Sequence, residues 1–208
     1  NERGAGIWNG QRWQKVKKRF ILLFLAFTFI LFSKLHILEV KANEIITGDS
    51  NSLVRISGKN RYETAMAISN HIYKDGTDNV IIASGVQLSD ALVGGVLAAK
   101  LEAPILLSSG KVLSSNLSEE LERLSPSSIY IIGGEHSISS ELEVSLKEYS
   151  NVFRLAGANR YETSVEVANL LISMGERKGL AFASGNNFSD ALVGMPLLAK
   201  RSGYPLIL

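Results

Sequence analysis

A ten-residue motif that occurs twice constrains this chain more than any other feature. Arg55-Ile-Ser-Gly-Lys-Asn-Arg61-Tyr-Glu-Thr64 returns 99 residues later as Arg154-Leu-Ala-Gly-Ala-Asn-Arg160-Tyr-Glu-Thr163, identical at seven of ten positions. A second block, Ala83 to Lys100, returns as Ala183 to Lys200 with twelve of eighteen positions unchanged, Ala-Ser-Gly and Ser-Asp-Ala-Leu-Val-Gly among them. Ala103-Pro-Ile-Leu-Leu107 then reappears as Tyr204-Pro-Leu-Ile-Leu208. The same blocks in the same order, at nearly the same spacing, describe tandem copies of one folding unit. The second copy has no counterpart of Ser108 to Asn151, so the sequence reads as a fragment whose second repeat is truncated.

Within one copy, short continuous apolar runs alternate with stretches of helical period, the pattern of a parallel sheet covered by helices on both faces. The expected strands are Leu53 to Ile56, Val80 to Ala83, Ile105 to Leu107 and Ile129 to Ile132. The first helix should open after Asn60, with Glu63 three residues on, and turn Ala65, Ile68 and Ile72 toward the sheet. A second helix starts at Ser89 or Asp90, which read as capping residues. A third carries Leu117, Leu121 and Leu124 and stops before Pro126, and a fourth carries Ile138, Leu142, Leu146 and Tyr149. The fold class is therefore α/β: tandem (βα)4-type repeats with parallel sheets flanked by helices, the second repeat truncated.

Charge divides the chain ahead of the repeats. Residues 1–42 hold eight of the 22 Lys and Arg but two of the 20 Asp and Glu, a local charge of +6 that leaves −4 on the remainder. The basic cluster Lys15, Lys17, Lys18, Arg19 precedes thirteen uncharged residues, Phe20 to Phe32, and then Val40-Lys41-Ala42. That is the layout of a secretory signal peptide, and the apolar run is shorter than the roughly 20 residues of a membrane span. The expected organisation is a leader at 1–42, with 1–14 read as upstream translation, then a first repeat at 43–151 and a partial second at 152–208. The membrane is met only transiently, the product is secreted, and an acidic mature chain gives no reason to expect nucleic acid as a partner.

The inventory of reactive side chains is short. There is no cysteine and there are three histidines, with no metal-ligand spacing and no nucleophile elbow, so neither a cofactor nor a catalytic centre is expected. Arg61 and Arg160 stand in the first turn of their helices, where the backbone dipole disfavours a cation unless something negative is near. Two partners fit: an internal carboxylate, such as Glu63, Glu162 or an acid of the neighbouring copy, or an external polyanion received by Arg55, Arg61, Arg154 and Arg160. Repetition favours the second, because several weak sites grip a long polymer better than one. Tyr62 and Tyr161 follow the arginines and could stack on a sugar, although packing at the helix start serves them equally. Gly133-Gly134 reads as a tight turn.

Taken together, Arg-x-x-Gly-x-Asn-Arg-Tyr-Glu-Thr, Ala-Ser-Gly, Ser-Asp-Ala-Leu, Pro-Ile-Leu-Leu and Ile-Ile-Gly-Gly make the chain resemble the cell wall-binding repeat 2 family of Gram-positive bacteria. The resemblance implies repeats that pack together and hold a secreted protein at the cell surface by binding an anionic cell-wall polymer attached to peptidoglycan. It implies the arginines first, and then Ile105, Leu106, Leu107 and the stretch Leu206 to Leu208, as the binding face. The alternative it implies is the targeting part of a peptidoglycan hydrolase, an N-acetylmuramoyl-L-alanine amidase whose catalytic domain lies elsewhere.

Overall fold

The computed structural model describes residues 54–175, 179–200 and 204–208, and residues 55–208 form one compact unit. The leader at 1–42 and Leu53 lie outside the described residues. Asn60 opens helix α1 (Arg61–Ile72), followed by β1 (Asn79–Ser84), α2 (Leu88–Leu101), β2 (Ile105–Ser108), α3 (Ser115–Leu124), β3 (Ser128–Ile132) and α4 (Ser140–Leu146). The second copy contributes β4 (Asn151–Leu155), α5 (Arg160–Ser173), β5 (Ala181–Phe182), α6 (Phe188–Lys200) and β6 (Leu206–Ile207). Among the described residues no helix is long and apolar enough to cross a membrane.

Four parallel strands in the order β2-β1-β3-β4 make the main sheet, and β5 pairs with β6 in a second, also parallel. The strand β4 begins the second copy yet is hydrogen-bonded to β3 of the first, with Ile131 opposite Arg154. The four-stranded sheet thus takes its fourth strand from the unit that follows. This corrects the expected strand at Leu53 to Ile56: Val54 to Ile56, the first-copy counterpart of β4, is not a strand. Among the described residues no preceding unit offers it a β3 to pair with.

The central helix is α2. Its Gly94 lies against the sheet, where a Cβ would come within 3.2–3.3 Å of Ile132 and Ile81. Val96, about 200° further round the helix, faces away from that sheet and is nevertheless fully buried. What covers it is the second copy: Val93, Val96 and Leu97 share one cluster with Val167, Leu171, Leu198 and Leu206. The opposite face of the sheet is closed by α3 and α4 through Leu117, Leu121, Leu124, Leu142 and Leu146 packed on Val80, Ile82 and Leu106. Strands apolar on both faces are what this two-sided cover requires, and the described part of the second copy packs its apolar side chains on α2 of the first.

Two local expectations change. In α1 Ser69 is buried and Met66 half-buried, with Tyr73 just past the helix end half-buried beside them, while Ile68 and Ile72 are exposed; the core meets the helix about a third of a turn from the expected stripe. And α2 starts at Leu88, so Ser89 and Asp90 are buried in its first turn and do not cap it. The turn is held by Ser84 instead, whose Oγ accepts from the amides of Val86 and Gln87 at 3.2 Å. The stop of α3 agrees with expectation: Ser125 takes a left-handed φ of 47° directly before Pro126.

Candidate functional site

The repeated motif is first of all a helix entry, built identically in both copies. Asn60 Oδ1 accepts from the Glu63 amide at 3.0 Å, Glu63 Oε2 accepts from the Lys59 amide at 2.9 Å, and Thr64 Oγ1 accepts from the Gly58 amide at 3.0 Å. The second copy repeats all three, with Asn159 and Glu162 at 3.0 Å, Glu162 and Ala158 at 2.9 Å, and Thr163 and Gly157 at 3.0 Å. This is a capping box extended by a threonine bridge. Gly58 and Gly157 must be glycine because a Cβ on either would overlap the motif's own glutamate. Glu63 and Glu162 are therefore occupied by the cap and are not the partners of the arginines.

The arginines reach elsewhere. Arg61 Nη1 donates to the carbonyl of Gly85 at 2.5 Å, and Arg160 Nη1 to that of Gly185 at 2.8 Å. The rings of Tyr62 and Tyr161 lie over the same two glycines so closely that a Cβ there would strike them. An Arg-Tyr pair thus clamps the turn that leaves β1, and again the turn that leaves β5, which is why Arg-Tyr-Glu-Thr and Ala-Ser-Gly recur together. A carbonyl accepts a hydrogen bond but brings no net charge, so each guanidinium stays a full cation with donors to spare.

Arg154 differs. Its Nε donates to Glu143 Oε2 at 2.7 Å and its Nη1 to the Gly133 carbonyl at 2.8 Å, and its side chain is only 16% exposed. Glu143 belongs to the preceding copy, and the hydrogen bond from Arg154 holds its carboxyl below the ordinary glutamate value, with Lys147 assisting. Arg55, the first-copy counterpart, is exposed and has no polar partner among the described residues.

Asp90 marks where the copies meet electrostatically. Burial raises its pKa, against the opposing pull of the Ser137 and Ser89 hydroxyls and of the charge on Arg160. Arg160, from the second copy, thus acts on a buried acid of the first, whereas the second-copy counterpart of that acid, Asp190, is exposed.

The aromatic and apolar candidates separate by burial. Leu106 is fully buried, while Ile105 and Leu107 are half-buried and reach the surface. Leu107 and Tyr62 line a cleft of about 210 Å³ at the carboxyl end of β2, together with Asn60, Ser109 and Asn116. Ser109 and Asn116 escaped sequence reasoning; the signal was the run of small polar residues following the Ile-Leu-Leu strand. In the second copy Tyr161 is 43% exposed, its hydroxyl 3.5 Å from Asn186 Oδ1, and the Arg160 guanidinium stands 5.9 Å from the Phe188 ring centre. In the terminal stretch Leu206 is buried and the Leu208 amide donates to Ser164 Oγ at 3.1 Å. The structure therefore gathers Arg61, Tyr62 and Leu107 at the carboxyl edge of one copy and Arg160 with Tyr161 at the other, and ties Arg154 into the fold. Among the described residues no three His, Cys, Asp or Glu side chains converge as a metal site would require.

Comparison with known proteins places this geometry among relatives. The family model for cell wall binding domain 2 (CWB2) matches residues 55–143 and 154–208. The chain is 37% identical over 164 residues to the amidase enhancer of Bacillus subtilis (strain 168), covering 78% of this chain and 23% of that protein. It is 32% identical over 158 residues to the N-acetylmuramoyl-L-alanine amidase LytC of the same strain, covering 76% and 31%. The chain thus spans less than a third of these relatives' length. Among solved structures, Cwp6 from Clostridium difficile superposes with a TM-score of 0.69 at 30% identity, over 77% of this chain and 27% of Cwp6. Cwp8 from Clostridium difficile gives 0.67 at 34%, over 73% and 26%.

Proposed function

We propose, since this chain belongs to the cell wall binding domain 2 family, that it fastens a secreted protein to the bacterial wall by gripping an anionic polymer attached to peptidoglycan, with no chemistry of its own. The leader at 1–42 exports it, and the repeats at 43–151 and 152–208 do the binding. The observation that supports this reading is the pair Arg61 and Arg160. Each is exposed, each is steadied by a carbonyl and not by a paired carboxylate, and each keeps donors free for a phosphate or carboxylate of the polymer. Tyr62 and Leu107 offer the neighbouring cleft to the uncharged part of a polymer unit. Beyond the leader the chain carries −4, so attraction must be local to these cations, and repetition converts weak single contacts into a firm hold.

The relatives named as an amidase and an amidase enhancer favour a second reading, in which this binding part serves a wall hydrolase. The two readings share the same site and differ in what it carries. Co-sedimentation of residues 43–208 with purified walls, before and after acid extraction of the anionic polymer, tests the site. Pelleting should be lost on extraction and weakened by salt, since exposed ionic contacts are screened over about 8–10 Å near physiological ionic strength. Equal pelleting with stripped walls would refute it. Release of wall fragments by the complete secreted protein, and not by residues 43–208, decides between anchor and hydrolase.

A further inference from the structure

The cleft of about 210 Å³ at the carboxyl end of β2 has a chemistry unlike that of the arginines beside it, and it lies wholly within the first copy, between residues 60 and 116. Leu107 and Met66 give it an apolar lining and Tyr62 an aromatic one. Hydrogen-bonding capacity is left over around them. Asn116 Nδ2 and the hydroxyls of Tyr62 and Ser109 have no polar partner among the described residues, and Asn116 Oδ1 meets the Ser115 hydroxyl only at 3.5 Å. The other polar groups are already spent: Ser114 caps α3 and Asn60 caps α1. Among the described residues the one charged side chain lining the cleft is Glu63, whose two carboxylate oxygens accept from the Lys59 amide and from Asn60 Nδ2. A phosphate placed here would face a carboxylate with no cation on the wall to offset it.

These features select a ligand that is ring-sized, uncharged, apolar on one face and rich in hydrogen-bonding groups at its edges, which describes a single pyranose unit. Asn116 narrows the class. Its amide has a donor and an acceptor to offer, so it exchanges a pair of hydrogen bonds with the N–H and C=O of an acetamido substituent, while Leu107 and Met66 take the methyl. We propose that this cleft is a subsite for one acetamido sugar of a wall glycan, with Asn116 as the residue that reads the acetamido group. The inference rests on the reading of this carboxyl edge as the gripping face and adds the chemistry of the uncharged unit held beside Arg61. An acetamido sugar reaches the cleft from either of two sources, the anionic polymer or the glycan strand that carries it.

Heteronuclear NMR of residues 43–208 titrated with N,N′-diacetylchitobiose reads the site. The amides of Leu107, Ser109 and Asn116 should shift and saturate. Cellobiose, the same disaccharide frame with hydroxyls in place of the acetamido groups, should bind at least about fivefold more weakly, the worth of one hydrogen bond. Asn116→Ala, at an exposed position, should bring diacetylchitobiose down to the level of cellobiose with circular dichroism and melting unchanged. Should that variant melt early, Asn116→Asp, whose charge suits the first turn of α3, takes its place with the same expectation. Equal affinity for the two disaccharides, shifts that miss these residues, or a folded Asn116 variant that binds like the parent overturns the proposal. Competition separates the sources: displacement of the disaccharide by purified anionic polymer or by fragments of polymer-stripped wall supports the subsite and identifies which supplies the sugar, and displacement by neither overturns it. Because the probe is uncharged, this inference and the arginine-based reading fail separately: the first through the disaccharide, the second through polymer affinity that Arg61→Gln and Arg160→Gln leave unaltered.

Discussion

Arg55, Arg61, Arg154 and Arg160 come from one motif, yet their surroundings assign them different work. Arg154 locks the second copy to the first through Glu143 and Gly133. Replacing it with alanine should cost about 2 kcal/mol, the order of a charge-assisted hydrogen bond lost from a largely buried site, measured by urea denaturation at neutral pH. The sign of the pH effect follows from Glu143, whose carboxyl is lowered from 4.5 by Arg154. Its contribution is complete above that ordinary value and disappears as pH falls through the depressed folded-state value. Arg154→Ala should therefore lose less stability on acidification than the parent. Glu120 keeps part of the acid sensitivity: burial is the largest single influence and would raise its carboxyl, but the hydrogen bond and charge of Arg123, with Ser69 and Asn70, together hold it below the ordinary value. A second residue-scale outcome concerns the clamp: Gly85→Ala drives a methyl into the Tyr62 ring and should destabilise by about 1–3 kcal/mol. Gly134→Ala, which meets nothing within 4 Å, should not show that loss in the same melting series. The cap at Asn60 and Glu63 was legible from spacing alone. The role of Arg61 was not, because its acceptor is a carbonyl 24 residues away that no local pattern announces.

Helices α1 and α5 carry nearly the same opening sequence and end in different environments, so equivalent substitutions should separate. Leu171→Ala removes a fully buried side chain and should cost about 2–5 kcal/mol. Ile72→Ala, at the matching position with 61% exposure, should cost well under that, within about 1 kcal/mol; thermal melts of the two variants make the comparison. The strands β1, β2 and β3 were readable as continuous apolar runs, because burial on both faces removes the alternation that would otherwise blur them. The Leu53 to Ile56 assignment failed over its described part, Val54 to Ile56, for a physical reason: the counterpart β4 is held by β3 of the copy before it, and among the described residues the first copy has no such strand ahead of it. The stripe expected on α1 failed because the core meets the helix one residue further on, at Met66 and Ser69, which leaves Ile68 and Ile72 exposed.

At the scale of the whole molecule, composition excluded cysteine chemistry and weakened metalloenzyme readings, the recurring motifs pointed to a repeat protein, and the family membership follows the same motifs. What neither composition nor spacing could place was the division of labour among the cations, which depends on which copy stands before which. The central claim is that guanidiniums at the carboxyl edges, steadied by carbonyls and in no salt bridge among the described residues, hold the wall polymer. It is tested most directly by measuring the affinity of residues 43–208 for the purified anionic polymer in the parent and in the double variant Arg61→Gln and Arg160→Gln, with folding checked by circular dichroism. The account predicts that the folded variant binds at least about tenfold more weakly and with a shallower dependence on salt, one charge-assisted contact being worth about 1.5–3 kcal/mol. A folded variant that binds with the parent's affinity and salt dependence would contradict it.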